Sequence, residues 1–448
     1  MMRNFFLILN KVYNNIISVL EAPYFGFMQG HNYISNQDIS NIYKIVGAYD
    51  EEVILNYERS FSRLLGEGGS VSFASGRMGF YALMKIYEVG NGDEVIINGA
   101  TCSVMVNAIL RLGATPVYSD IDSNTFGSSS HSIKECLTKR TKMVVAQHSF
   151  GIPCDIDLIS DICKKASVFL LEDCALTLGS KLHNRNVGTF GDAALFSTDH
   201  SKPINTITGG LIYTNNVSIY NKLIAIQSQS NNLSIEKQNA IWKRFVLERR
   251  YAQPGRFRLL HFFDLIHKVK YSLIGGITPF LDEDFSSKIL SQSYPYPSKL
   301  PTFLAAIGLI EINRWPFVEK ERERMLIHYT EWIKDFEFDV DLPAAYFDSN
   351  RCIVPLRIVW SQENGALIRQ QLASVINISW IWFLQPIVAT SEPLINFNYK
   401  YGECPVSEYI CDRMLNLPTP NSFSSFMLLL NMISPVLKDS NKSNNTLQ

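Results

Sequence analysis

Lys202 is an unusual lysine. It follows the apolar run Ala193-Ala194-Leu195-Phe196 and a short polar stretch, and Pro203 comes directly after it. A lysine brought out of a buried strand into a partly desolvated place has a lowered pKa and becomes a nucleophile. Two other apolar runs also end in residues that can do chemistry. SFASGRMG (72–79) reads as a strand, a Ser-Gly turn and a helix start. Free backbone N–H groups at such a helix N-terminus hold a phosphate, although a plain strand–helix turn has the same pattern. LLEDCALTLG (170–179) closes an apolar strand with Glu172 and Asp173. A buried carboxylate needs a cationic partner; the plainer reading is that the pair caps the next helix. Ser197, five residues before Lys202, adds a hydroxyl for a phosphate. A phosphate cradle, a carboxylate able to keep a pyridine nitrogen protonated and a Schiff-base lysine are the parts that a pyridoxal phosphate site requires.

The elements that must position these residues alternate. A helix at Glu51–Leu65 leads into the strand VSFASG, and RMGFYALMKIYEVG follows with helical spacing of Met78, Tyr81, Ala82 and Met84. NGDEVIING, TPVYSDID, KMVVAQHSF and SVFLLED read as strands. The helices between them are TCSVMVNAILRLG, SIKECLTKRT and DIDLISDICKKA. Apolar strands alternating with helices predict an α/β fold with a mainly parallel central sheet covered on both faces. Ligands bind such sheets at the carboxyl ends of the strands, where SFASG, VFLLED and ALFSTDHSK all end. Three parts are expected: an N-terminal arm (1–50), a large domain (51–293) with a helical insertion at about 217–293, and a smaller C-terminal α+β domain (294–448). In the last, residues 300–336 read as a long helix kinked near Pro316. CIVPLRIVW and ISWIWFLQP read as strands, Ser422–Val436 as a final helix, and the tail KDSNKSNNTLQ as frayed.

Composition sets limits. The 448 residues are 46% hydrophobic and 19% charged, as in an ordinary soluble enzyme with a large core. A net charge of −1 gives no basic field for nucleic acid. The eight cysteines are scattered, without metal-ligand spacing, which predicts a reduced, cytoplasmic setting and no metal. The stretch MMRNFFLILNKVYNNIISVL is interrupted by Asn10, Lys11, Asn14 and Asn15. It reads as an amphipathic arm rather than a spanning helix, with a membrane-surface anchor as the lesser reading.

With these motifs placed, the chain resembles the DegT/DnrJ/EryC1/StrS sugar aminotransferases, a fold-type-I pyridoxal-phosphate group, over about residues 50–216 and 294–436. GDEVII with NAILRLGATPVYSDID, FGIPCDID, LLEDCA, FSTDHSK, LAAIGLIEINR and CPVSEYICDRMLNLPT carry the resemblance. It implies that Lys202 bonds the cofactor and moves the proton, that Asp173 pairs with the pyridinium, and that Gly76, Arg77 and Ser197 bind the phosphate. Cys102 takes the place of the aromatic that stacks on the ring. Lys299 takes the place of an arginine that reaches a neighbouring subunit's site, implying a homodimer with shared sites. The implied cofactor is pyridoxal 5'-phosphate. The implied reaction is amino transfer from a donor such as glutamate to a keto sugar, often nucleotide-linked, in amino-sugar or polysaccharide biosynthesis.

The chain also departs from the pattern. Leu176 replaces a glutamine near the ring, Pro297 replaces an asparagine, and Ile207-Thr208-Gly209-Gly210 replaces GEGG or GDGG. These departures leave two alternatives: a deoxysugar dehydratase, and a homologue that binds cofactor without turnover. A lysine at 202 favours amino transfer, because the dehydratase branch places histidine there. His148 reads as locally bonded, His200 as a bland neighbour of Lys202 with a general-acid role as the lesser reading, and ERERMLIHYTEWIK as a solvated helix face. The insertion reads as a lid over the site mouth; a surface helix pair on anionic lipid, with Arg249, Arg250, Arg256, Arg258, Lys268 and Lys270 at the headgroups, is the sharper alternative.

Overall fold

The computed structural model describes residues 23–27, 30–288, 293–335, 340–377 and 382–445, with backbone alone at 272 and 439–445. The N-terminal stretch through residue 22 and residues 378–381 of the expected strand ISWIWFLQP lie outside the described residues.

Helix α1 (Asn36–Tyr43) precedes α2 (Glu51–Leu65). α2 starts where Asp50 Oδ1 accepts the N–H groups of Glu52 and Val53 at 3.0 and 3.3 Å. Such a cap stabilises a helix by about 1 kcal/mol. Ile54, Tyr57, Phe61 and Leu65, three or four residues apart, form its buried stripe. The central sheet follows in chain order: β1 (Gly69–Phe73), β2 (Glu94–Asn98), β3 (Thr115–Ser119), β4 (Thr141–Gln147), β5 (Phe169–Asp173), β6 (Ala193–Ser197) and β7 (Gly210–Thr214). Their spatial order is β1-β7-β6-β5-β4-β2-β3. β7 runs antiparallel to both neighbours and the other pairs are parallel. Every residue of β2, β5 and β7 is buried, as a sheet covered on both faces requires. The crossover helices are α3 (Gly76–Ile86), α4 (Ser103–Leu110), α5 (Ser130–Cys136) and α6 (Ile156–Ala166). α5 is shorter than the sequence pattern suggests, because Thr138 turns the chain by accepting the Arg140 N–H at 3.0 Å and bonding Glu94.

Three helices follow β7: α7 (Val217–Gln229), α8 (Ile235–Tyr251) and α9 (Phe257–Ile274). Then α10 (Thr302–Asp335) runs as one 34-residue helix with Pro316 inside it, where a kink was expected. Its first half buries Phe303, Leu304 and Ile307 in the large core, and its second half buries Met325, Tyr329 and Trp332 in the smaller one. The smaller unit pairs β8 (Arg357–Ser361) antiparallel with β9 (Met414–Pro418), which lie among α11 (Gly365–Leu372), α12 (Pro405–Arg413) and α13 (Phe423–Asn445). α13 continues into the tail that was expected to fray; no glycine or proline follows Pro435 to stop it. Trp382–Pro386 forms turns rather than the expected strand, and Ile387–Val388 pairs with Thr101–Cys102 instead.

Candidate active site

Strand register gathers the site. Because β7 lies between β1 and β6, Phe73, Gly210 and Ser197 stand in one row, and Asp173 on β5 faces Leu195 on β6. The carboxyl ends of β1, β5 and β6 are thus neighbours, with Lys202 in the loop after β6. Gly210 is needed here, because a Cβ on it would run into the backbone of Gly76. Ile207, where the resembled family has glycine, keeps the glycine-like conformation at φ +70°. A β-branched residue there stores on the order of 1–3 kcal/mol of strain. Burial of the Ile207 side chain and its N–H bond to Asn205 Oδ1 at 2.8 Å offset it.

The phosphate end of the site is the start of α3. Ser75 sits at the N-cap in extended backbone without making a side-chain cap, and its buried Oγ has no hydrogen-bond partner among the described residues. A buried, unbonded hydroxyl at a helix N-terminus suits an anion with free oxygens. Ser197, partly buried, lies in the adjacent strand end. The guanidinium of Arg77 is bonded to Asp284 at 2.5 Å and to the Leu281 carbonyl. Only its backbone N–H remains for a phosphate.

Lys202 is partly buried, with Nζ 4.1 Å from the ring centre of Trp382 and no hydrogen bond or ion pair to any described residue. Desolvation lowers its pKa; Asp199, Cys102 and Asp173 oppose the shift, and the positive Arg357 reinforces it. A larger neutral fraction makes Nζ a better nucleophile and base. Asp173 is buried, and its Oδ1 accepts the Ala175 N–H at 2.9 Å. Burial raises its pKa against the pull of that N–H, Lys202 and His148, so the carboxyl group suits a further cation. Cys102 precedes α4 and lies close enough to Lys202 for each to shift the other. Lys202, Asp173, Cys102, Ser197 and Gly76 are therefore brought together. Lys299 is not: its Nζ lies 5.1 Å from the Tyr49 ring, and its N–H donates to the Asn231 carbonyl.

Glu172, adjacent to Asp173 in sequence, has a different task. It accepts the N–H groups of Gly188, Phe190 and Gly191 at 2.6–2.7 Å and lies 3.1 Å from His148 Nε2. His148 Nδ1 accepts the Cys154 N–H, which places its proton on Nε2. The pair fastens the 188–191 loop against β5.

Four features escaped the sequence reading. Trp382 lies over Lys202 from a segment read as strand. Arg357 is buried, with Nη2 bonded to the Phe27 carbonyl and Nε without a hydrogen-bond partner among the described residues. Arg322, read as solvated, is 2% exposed, with Nε and Nη1 unpaired among the described residues. It shares a helix face with Trp315, Met325 and Tyr329, a spacing of seven, three and seven residues that the alternating charges of ERER conceal. His200 is buried against Glu248 of α8 at 3.0 Å, and Glu248 in turn bonds Arg244. α8 thus braces the loop that carries Lys202.

This brace gives a pH prediction. Burial would raise the Glu248 pKa, but Arg244 and His200 outweigh it and hold it at about 2, below the ordinary 4.5. Its contribution is then full above about pH 4.5 and is lost as pH falls toward 2. Glu248→Gln should cost on the order of 3 kcal/mol at neutral pH. Thermal unfolding against pH should show variant and parent converging toward pH 2; a constant gap would contradict the pairing.

The residues present fit pyridoxal 5'-phosphate: Ser75, Ser197 and the α3 N-terminus for the phosphate, Asp173 for the ring nitrogen and Lys202 for the carbonyl carbon. Residues 44–250 and 276–425 match the DegT/DnrJ/EryC1/StrS aminotransferase family. The chain belongs to that family. Within it, an uncharacterized protein of Methanocaldococcus jannaschii is 31% identical over 372 residues, 81% of this chain and 84% of its own. The GDP-perosamine synthase of Escherichia coli O157:H7 is 34% identical over 187 residues, 41% of this chain and 51% of its own. The chain spans about half the length of that synthase and of three further curated relatives. An aminotransferase structure from Psychrobacter cryohalolentis superposes with a TM-score of 0.68 at 17% identity, covering 91% of this chain and 98% of its own. The architecture is that of the fold-type-I pyridoxal-phosphate enzymes. The family match is interrupted at 251–275, the stretch that holds α9. No helix among the described residues is long and apolar enough to cross a membrane.

Proposed function

We propose that the chain is a pyridoxal 5'-phosphate-dependent aminotransferase. It moves an amino group from an amino acid donor such as glutamate to a keto sugar, nucleotide-linked, in the synthesis of an amino sugar for a surface polysaccharide or secondary metabolite. The observation that carries this reading is the gathering of Lys202, Asp173 and the Ser75 hydroxyl, unbonded among the described residues, at the carboxyl ends of β6, β5 and β1. The nucleotide sugar rests on relatives such as the synthase named for GDP-perosamine.

When bound, the cofactor supplies an electron sink for the substrate carbon that bears the nitrogen. The chain supplies the rest. Ser75, Ser197 and the α3 N–H groups anchor the phosphate. Asp173 holds a proton on the ring nitrogen through its charge. Lys202 Nζ, its pKa lowered by burial, would take the proton from the substrate carbon and deliver it to the carbon on the other side of the transferred nitrogen. Trp382 covers Nζ and excludes water from it. The protein works in the cytoplasm as a homodimer; Lys299 lies outside its own Lys202 cluster, so any service to a cofactor is in the partner's site.

The test is single-turnover mixing of cofactor-loaded protein with glutamate and then with nucleotide keto sugars, read by mass spectrometry. An amino sugar is the expected product. A deoxy sugar would replace the reading with dehydration, and bound cofactor without reaction toward any amino donor would identify a non-catalytic homologue.

A further inference from the structure

α9, the element outside the family match, has two unlike sides. One side holds it to the body. Phe257 and Leu260 are buried beside Phe27 and Ala252, and Asp264 bonds Arg244. The other side carries Leu259, Phe262, Ile266, Val269 and Leu273, which are 44, 43, 47, 45 and 79% exposed. Their spacing of three, four, three and four residues puts them on one stripe. From Ile266 to Ile277 every side chain with described burial is exposed, so the second half of the helix stands clear of the protein. The stripe from Leu259 to Leu273 is about 21 Å long.

Leaving these side chains in water forgoes on the order of 1 kcal/mol each. The helix itself is basic. α9 carries Arg258, Lys268 and Lys270 against a single acid, Asp264, which is already bonded to Arg244, whereas the whole chain has a net charge of −1. At about 100° per residue, Arg258 and Lys270 fall on the two flanks of the stripe. A second copy of the stripe would bring these cations against their own counterparts, an unfavourable pairing. A surface that is apolar at depth and negative at its rim matches both properties.

We propose that α9 is an interfacial helix that lays its apolar stripe into an anionic phospholipid bilayer, with Arg258, Lys268 and Lys270 at the headgroups. The helix lies along the surface and does not cross it. Each basic residue near such a surface contributes on the order of 1 kcal/mol, weakened by salt.

The test is flotation of the full-length protein with phosphatidylserine–phosphatidylcholine vesicles. The expected result is binding at low salt, lost at high salt and with pure phosphatidylcholine. Ile266→Glu with Leu273→Glu, and separately Lys268→Glu with Lys270→Glu, should each reduce binding about tenfold or more. All four side chains are exposed, so thermal unfolding should be little changed and serves as the folding control. No flotation at low salt would overturn the proposal, as would binding that both variants retain. Self-association that the variants abolish, without lipid binding, would overturn it in favour of a second copy.

Discussion

Lys202→Ala is expected to lower amino transfer by about 10⁴-fold or more, because one side chain serves as both covalent anchor and proton carrier. The nitrogen is partly buried, unpaired among the described residues and lowered in pKa by desolvation. Among the described residues no other lysine is placed at the three strand ends, so no neighbour should substitute. The variant should still bind cofactor, since Ser75, Ser197, the α3 N-terminus and Asp173 are untouched. Retained binding with lost turnover, measured by absorbance and by product formation, separates this role from a folding defect. Turnover close to that of the parent would show that another base moves the proton.

Asp173→Asn is expected to reduce turnover about a hundredfold or more, as when a group that stabilises developing charge is removed. The substitution preserves shape and can keep the bond to the Ala175 N–H, so the backbone around β5 should hold. What is lost is the negative charge that keeps the ring nitrogen protonated. Relief of a buried carboxylate should also leave the cofactor-free variant as stable as the parent or more so, since burial disfavours the charged form of Asp173. Loss of turnover together with unchanged or higher thermal stability is the expected pattern. Unchanged turnover would assign the carboxylate to structure alone, alongside Glu172.

Much of this was legible in the sequence because it follows local rules. Asp50 and the stripe Ile54, Tyr57, Phe61 and Leu65 set α2 at the expected bounds. The apolar strands order themselves into a sheet whose carboxyl ends must converge, which brings Lys202, Asp173 and Gly76 together. What could not be read depends on distant partners. Glu248 meets His200 from 48 residues away, Asp284 claims Arg77 from 207 away, and Trp382 reaches Lys202 from the smaller unit. Arg322 shows the limit of composition: flanked by charges in sequence, it is inside because the periodicity of a long helix puts it there. Ile207 is the opposite case, a residue whose type argues against a left-handed turn but whose buried surroundings impose one.

The most direct test of the central claim is borohydride reduction of the cofactor-loaded protein followed by peptide mapping. The account requires the pyridoxyl group on Lys202, in the peptide containing FSTDHSKPIN. A label on any other lysine, or none despite bound cofactor, would contradict it.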